Sequence, residues 1–200
     1  TFGKAGCFSL HPLKSLGGAG DGAFVATNDK YLYEKISRLR NHGQKSRDDI
    51  THYGFCSRLD NLQAALLNTK FKFFNSNVMK RRKIASIYSE GLKNFPLLLP
   101  KLYENNKEYF ETYNSYVIRT NRQKELVEFL KKKKIETLIN WPRPIYKNKN
   151  LKIKVGHLPV TEKIVKEIIS LPIYPEISSK QIKYVIESIS KFFNEKKNNM

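Results

Sequence analysis

The 200-residue chain, 40% hydrophobic and 12% aromatic, is long and apolar enough to bury a core, which excludes a disordered protein. No apolar run approaches the ~20 residues of a membrane-spanning helix, and the opening "TFGKAGCFSL" lacks the apolar core of a secretory signal. The net charge of +19 raises nucleic acid or an anionic surface as a partner, but the cations are scattered and no basic–aromatic binding module accompanies them.

In chain order, residues 7–10 (CFSL) and 23–27 (AFVAT) read as short buried strands bounded by Gly, Pro or Asn. From Asn28 as N-cap a helix runs to about Arg40, with Leu32, Ile36 and Leu39 on one face. Gly43 stops it, and 41–57 form a polar loop. Leu59, Leu62 and Leu66 open a second helical face, and Val78, Ala85, Tyr88 and Leu92 a third, which ends before Pro96. After Pro100 a strand at 115–120 precedes a helix over about 122–133 and a second strand at 135–139. Lysines 131–134 and the basic tail near the end fall at helix C-termini, where cations complement the helix dipole. Residues 141–158 are irregular, and Val160, Ile164 and Ile168 mark a short helix. "SLPIYP" leads to the last helix, which has a capping box of Ser178 and Gln181 and an apolar stripe of Ile182, Ile186, Ile189 and Phe193. The order predicts an α/β chain in two parts. Residues 1–93 hold strands and connecting helices, and 94–200 form a small α/β domain.

Two cysteines, Cys7 and Cys56, make no disulfide framework, and His11, His42, His52 and His157 have no metal-ligand spacing; reduced thiols in a cytoplasmic protein without a metal are expected. Asp48 and Asp49 read as solvated loop charge.

One lysine stands apart. Lys14 lies in "FSLHPLKSLGGAGDGAFVAT", between apolar runs and just ahead of Gly17, Gly18 and Gly20. A lysine used as a covalent catalyst must lose its proton near neutral pH, so it needs a partly desolvated, structured setting. Pro12 fixes the backbone ahead of it, the glycines let the chain turn closely around a bound group, and Ser9 offers a hydroxyl to an anion. Taken alone, this pattern also fits a solvated lysine in a glycine-rich turn.

That stretch, followed in order by "LRNHG", "YGFCSRLDNLQAALL", "RRKIASIYSEGL" and "SLPIYPEISSKQIKYVIESISKFF", resembles the C-terminal half of the DegT/DnrJ/StrS family of pyridoxal-phosphate (PLP) aminotransferases acting on nucleotide-linked keto-sugars. The resemblance implies the C-terminal part of a fold type I PLP-dependent transferase: the end of the large-domain sheet, long connecting helices and a small C-terminal α/β domain. It implies that Lys14 carries PLP through its amine and that Ser9 hydrogen-bonds the cofactor phosphate. Gly20, Asp21 and Gly22 match the family's Gly-Glu/Asp-Gly-Gly turn, with Ala23 in place of the last glycine. Cys56 stands where the family usually carries an Asn that reaches the phosphate of the neighbouring subunit, and a thiol is a weak donor for that contact. Arg58 matches the motif's arginine, as an anion contact or a structural ion pair. His42 matches an "R-x-H-G" turn. In "NWPRPIY" the family often shows histidines lining the sugar-nucleotide site; here Asn140 and Tyr146 stand instead, and Trp141 is open to stacking on a base or sugar or to core packing. His11, Trp141 and Tyr146 are the candidate substrate contacts.

The expected protein is thus a cytoplasmic homodimer with an active site shared across the interface, binding nucleotide-sugar and amino-acid substrates, with glutamate as donor. The start at Thr1, directly on a strand-like run, is that expected of a fragment. Such a fragment would lack the family's carboxylate for the pyridine nitrogen and would be inactive and prone to associate. Two alternatives stay open: a truncated or non-catalytic relative that keeps the scaffold, and a basic nucleic-acid-binding protein. The family branch that dehydrates sugars has histidine in place of the lysine, so Lys14 argues against that chemistry.

Overall fold

The computed structural model describes residues 2–102, 109–151, 153 and 156–195. The chain divides into two compact units, 1–75 and 76–200. The sequence boundary at 93/94 and this one at 75/76 bracket the body of a single long helix.

In the first unit, β1 (Gly6–Ser9) and β2 (Ala23–Ala26) form an antiparallel pair, with Phe8 opposite Phe24 and their rings stacked at 4.7 Å. The two strands pair only with each other among the described residues, so they are not the buried strands expected from their composition. Phe8, Phe24 and Val25 are 46%, 47% and 43% exposed because, among the described residues, no second layer covers the ribbon. Helix α1 (Lys30–Leu39) starts one residue later than its cap was placed. Asp29 is the N-cap, and its side chain accepts the Leu32 N–H at 3.0 Å.

The expected polar loop at 41–57 contains a small hairpin, β3 (Gln44–Ser46) with β4 (Asp49–Ile50). His42 and Gly43 take left-handed backbone, φ 59° and 74°. That turn folds the excursion back: the His42 N–H donates to Phe55 O at 2.9 Å, and the Phe55 N–H to Leu39 O at 2.7 Å. A Cβ on Gly43 would collide with the His52 carbonyl.

Helix α2 (Asn61–Phe71) turns a different face inward from the one its leucines suggest. Leu62 and Leu66 are exposed, while Leu67 is buried and Gln63 half-buried.

The second unit holds the larger core. Helix α3 (Phe74–Leu92) buries Val78, Ala85, Tyr88 and Leu92 as the 3.6-residue period requires, with Ile84 beside them. β5 (Tyr116–Arg119) and β6 (Ile168–Leu171) pair antiparallel, Ile118 opposite Ile169. Their inner faces meet α4 (Gln123–Lys132) and α6 (Ser179–Glu195) in one cluster built on Leu126, Leu130, Ile169, Ile182, Ile189 and Phe193. The capping box at the start of α6 forms as expected: the Gln181 N–H donates to Ser178 Oγ at 3.2 Å and the Ser178 N–H to Gln181 Oε1 at 2.9 Å.

Two expectations for this unit fail. Residues 135–139 are not a strand; Leu138 alone bridges Ser170, because the chain leaves α4 through a left-handed Lys134 and runs beside β6 for a single residue pair. Ile168 opens β6 and does not belong to the short helix α5 (Pro159–Ile164). The basic tail at 196–200 lies outside the described residues, as do positions 152, 154 and 155 of the irregular 141–158 stretch.

Candidate functional site

β1 ends at Ser9, and the chain then makes a closed excursion before entering β2. The Leu10 N–H donates to Gly22 O at 2.7 Å, and Leu10 O accepts the Gly18 N–H at 2.8 Å, so residues 11–17 form a loop whose ends are tied together. Inside it the Lys14 N–H donates to His11 O at 2.8 Å. Ser9 Oγ accepts the His11 N–H at 3.3 Å, and His11 Nδ1 accepts the Leu13 N–H at 3.1 Å. With Nδ1 accepting, the neutral ring carries its proton on Nε2, which faces Asp21 Oδ1 at 3.8 Å. His11 and Lys14, two of the residues singled out in the sequence, therefore share one loop, and Ser9 stands at its entrance, tied to His11.

Lys14 itself is exposed, and its amine has no partner among the described residues. The desolvated setting expected of a covalent lysine is not supplied by these residues. What they supply is a fixed backbone under a free amine.

The loop rests on α2. Gln63 Oε1 accepts the Ala19 N–H at 2.9 Å, and Lys70 Nζ donates to Gly17 O. A Cβ at Gly18 would lie 2.9 Å from Gln63 Oε1, and one at Gly20 2.8 Å from Gln63 Nε2. These two glycines make room for the Gln63 side chain. Neither Gln63 nor Lys70 was singled out in the sequence. The signal available was a polar pair at i and i+7 on the face whose middle residue, Leu67, is buried.

Cys56 and Arg58 follow the folded-back hairpin. Cys56 bridges Asn41 antiparallel, and the Ser57 N–H donates to Arg40 O at 2.8 Å, which pins this strand end to the C-terminus of α1. The Cys56 thiol is free and exposed. Arg58 is exposed and makes no hydrogen bond or ion pair among the described residues, so of its two readings the structural ion pair has no partner there.

Trp141 and Tyr146 belong to the other unit. Trp141 has φ 59° and is 78% exposed, so it is not a core residue of that unit. The Tyr146 hydroxyl donates to Glu162 Oε1 at 3.0 Å, and burial together with that carboxylate pushes its pKa up. Glu162 also takes Lys147 Nζ at 2.9 Å and His157 Nε2 at 3.7 Å, and the hydrogen bond from Lys147 holds its carboxyl below the usual range. A cavity of about 400 Å³ opens beside this cluster, lined in part by His157, Glu162 and Lys163. The Asn140 amide donates to Ser170 Oγ at 3.4 Å.

The loop's donor set suits a phosphorylated aldehyde at two ends: Lys14 offers a primary amine, and Ser9 Oγ, already accepting one N–H, keeps its own O–H for a phosphate oxygen. The sequence model of the DegT/DnrJ/EryC1/StrS aminotransferase family matches residues 1–190. The chain belongs to this family. Its members are PLP-dependent aminotransferases of nucleotide-sugar biosynthesis. The chain is 36% identical to a "pleiotropic regulatory protein" of Geobacillus stearothermophilus, covering 96% of this chain and 52% of that protein. It is 33% identical to a dTDP-3-amino-3,6-dideoxy-alpha-D-galactopyranose transaminase of Aneurinibacillus thermoaerophilus, with coverage of 96% and 52%. Among solved structures, S. venezuelae DesV in complex with a ketimine intermediate superposes with a TM-score of 0.88 at 31% identity, over 95% of this chain and 52% of that one. The chain spans about half the length of the curated relatives it matches. Among the described residues no helix is long and apolar enough to cross a membrane.

Proposed function

We propose that this chain is the lysine-bearing part of a PLP-dependent aminotransferase that moves an amino group from glutamate to a nucleotide-linked keto-sugar, working in the cytoplasm as a homodimer with a shared site. The observation that carries the reading is the loop closed between Leu10 and Gly18, which carries Lys14 with its amine exposed and follows directly on Ser9, in a chain of this family.

When bound, PLP supplies the electron sink for the carbon from which a proton is lost. Lys14 would hold the cofactor through Nζ, and Ser9 Oγ would donate to its phosphate. With the cofactor bound, Lys14 Nζ would serve as the base for the proton on the amino-bearing carbon and then, as acid, would deliver that proton to the carbon that had been the cofactor's aldehyde. The return half-reaction uses the same amine in the opposite order, which predicts ping-pong kinetics. Arg58, exposed and unpaired among the described residues, offers a guanidinium to an anionic group of the shared site.

The test is to incubate the chain with substoichiometric PLP, reduce with borohydride and map the label by mass spectrometry. Lys14 should carry the dominant label, and Lys14→Ala should remove it. Label spread evenly over the many lysines, or absent from Lys14, overturns the reading. That outcome would favour the second reading, a non-catalytic relative that keeps the scaffold, for which the Cys56 thiol at the phosphate-contact position speaks.

A further inference from the structure

We propose that Gln63, seconded by Lys70, is the positioning residue for Lys14; the inference rests on the cofactor role given to Lys14 above. Two hydrogen bonds from one helix face converge on the segment just after the lysine. Gln63 Oε1 takes the Ala19 N–H at 2.9 Å, Lys70 Nζ takes the Gly17 carbonyl, and the Gln63 carboxamide lies where side chains on Gly18 or Gly20 would otherwise be. Gln63, Leu67 and Lys70 are spaced i, i+4, i+7, so they stand in one row along α2. The middle member is 7% exposed, and the polar residues on either side of it reach backbone groups of the loop.

From Ser15 to Gly20 the side chains are short except for Leu16, so the backbone's place is set by what binds its N–H and C=O groups. Lys14 is tied to His11 O on one side and lies three residues from the Gly17 carbonyl on the other. Release of Ala19 and Gly17 leaves the stem at Leu10 closed but frees the segment that directs the Lys14 side chain. Covalent chemistry at an amine tolerates displacements of only about 0.5 Å before its rate falls, so this clamp acts on the reaction without touching substrate.

The geometry also makes Gly20 a test of Gln63. A methyl group on Gly20 meets only the Gln63 carboxamide, the far end of a flexible side chain that can swing away. Gly20→Ala should therefore fold normally and displace Gln63 from Ala19, reproducing Gln63→Ala. The experiment measures two quantities on the full chain, with far-UV circular dichroism as the check on folding. One is amide exchange over residues 15–22; the other is the initial rate of PLP labelling at Lys14 after borohydride reduction, across pH.

Gln63→Ala and Gly20→Ala should each speed exchange about tenfold and slow Lys14 labelling about tenfold. The double variant should be no worse than either single, since both remove the same contact. Gln63→Glu, which keeps an acceptor oxygen for Ala19, should restore both quantities. Unchanged exchange in Gln63→Ala, or fully additive effects in the double variant, overturns the proposal. Faster exchange with Lys14 labelling unaltered at every pH overturns the positioning role alone and leaves the chemistry of Lys14 standing. Absence of label from Lys14 in the unsubstituted chain overturns the cofactor role and the positioning role with it.

Discussion

Glu162 gathers the 140–162 region: its side chain accepts from Tyr146 Oη and Lys147 Nζ and lies 3.7 Å from His157 Nε2. Its pKa is depressed, chiefly by the hydrogen bond from Lys147. A depressed acid contributes stability that is present above its unfolded pKa, near 4.5, and is lost as pH falls through the lower folded value. Glu162→Gln keeps an acceptor for Tyr146 but gives up the charge. The variant should therefore be less resistant to urea than the unsubstituted chain at pH 7, and the gap should narrow as the pH is taken well below 4.5. A gap that is the same across that range means that the charge of Glu162 does not hold this region together. The same residue engages Tyr146, whose hydroxyl proton is given to Glu162, and nothing in the local sequence "PIYKNK" announces a partner sixteen positions away.

At the scale of elements, the excursion between α1 and α2 is closed by two glycines, Gly43 and Gly54, whose Cβ positions are filled by backbone atoms. Gly43 sits at φ 74°, and its Cβ position is filled by the His52 carbonyl. An alanine there meets the left-handed penalty of about 1–2 kcal/mol and must also push the hairpin off the end of α1. Gly43→Ala should lower stability by at least ~2 kcal/mol, whereas Gly3→Ala, with open space around its Cβ, should change it by less than about 0.5 kcal/mol. Equal effects in urea titrations of the two variants would refute this account of the turn. Helices α1, α3, α4 and α6 were legible because each carries a strong apolar period or a capping residue within a position of where it was placed. β3 and β4 were not, since "QKS" and "DI" have no alternation that separates a hairpin from a polar loop. The inward face of α2 was misplaced for a related reason. Counting leucines selects 59, 62 and 66, but the helix is turned by backbone groups of the 17–20 loop that need a donor and an acceptor, and Lys70 and Gln63 provide them. The motif residues around Lys14 were found in sequence, while the polar row that supports them lies fifty residues away and shows only when the chain is folded.

For the whole molecule the controlling quantity is charge: 37 basic against 18 acidic side chains leave +19 on 200 residues. Ion pairs oppose this locally. Arg119 meets Glu167 through two nitrogens at 2.7 and 3.1 Å across the start of β6, and several i,i+4 pairs line α1 and α6. Salt weakens both the attractive pairs and the net repulsion. Exposed pairs contribute roughly 0–1 kcal/mol each, while the unbalanced cations repel one another over the whole surface until the Debye length, about 10 Å at 0.1 M, cuts them off. Repulsion should win, and raising NaCl from about 0.02 M to 0.3 M should raise the thermal midpoint, most of the gain arriving by about 0.1 M. The same screening acts on the uncovered β1–β2 ribbon, whose Phe8, Phe24 and Val25 stay in water only as long as charge keeps two copies apart. Sedimentation velocity over the same salt series should therefore show association growing as the midpoint climbs. A midpoint that falls with salt would mean that the ion pairs outweigh the excess of cations. A rising midpoint with a strictly monomeric chain throughout would mean that the ribbon's apolar face is too small to drive association once repulsion is removed.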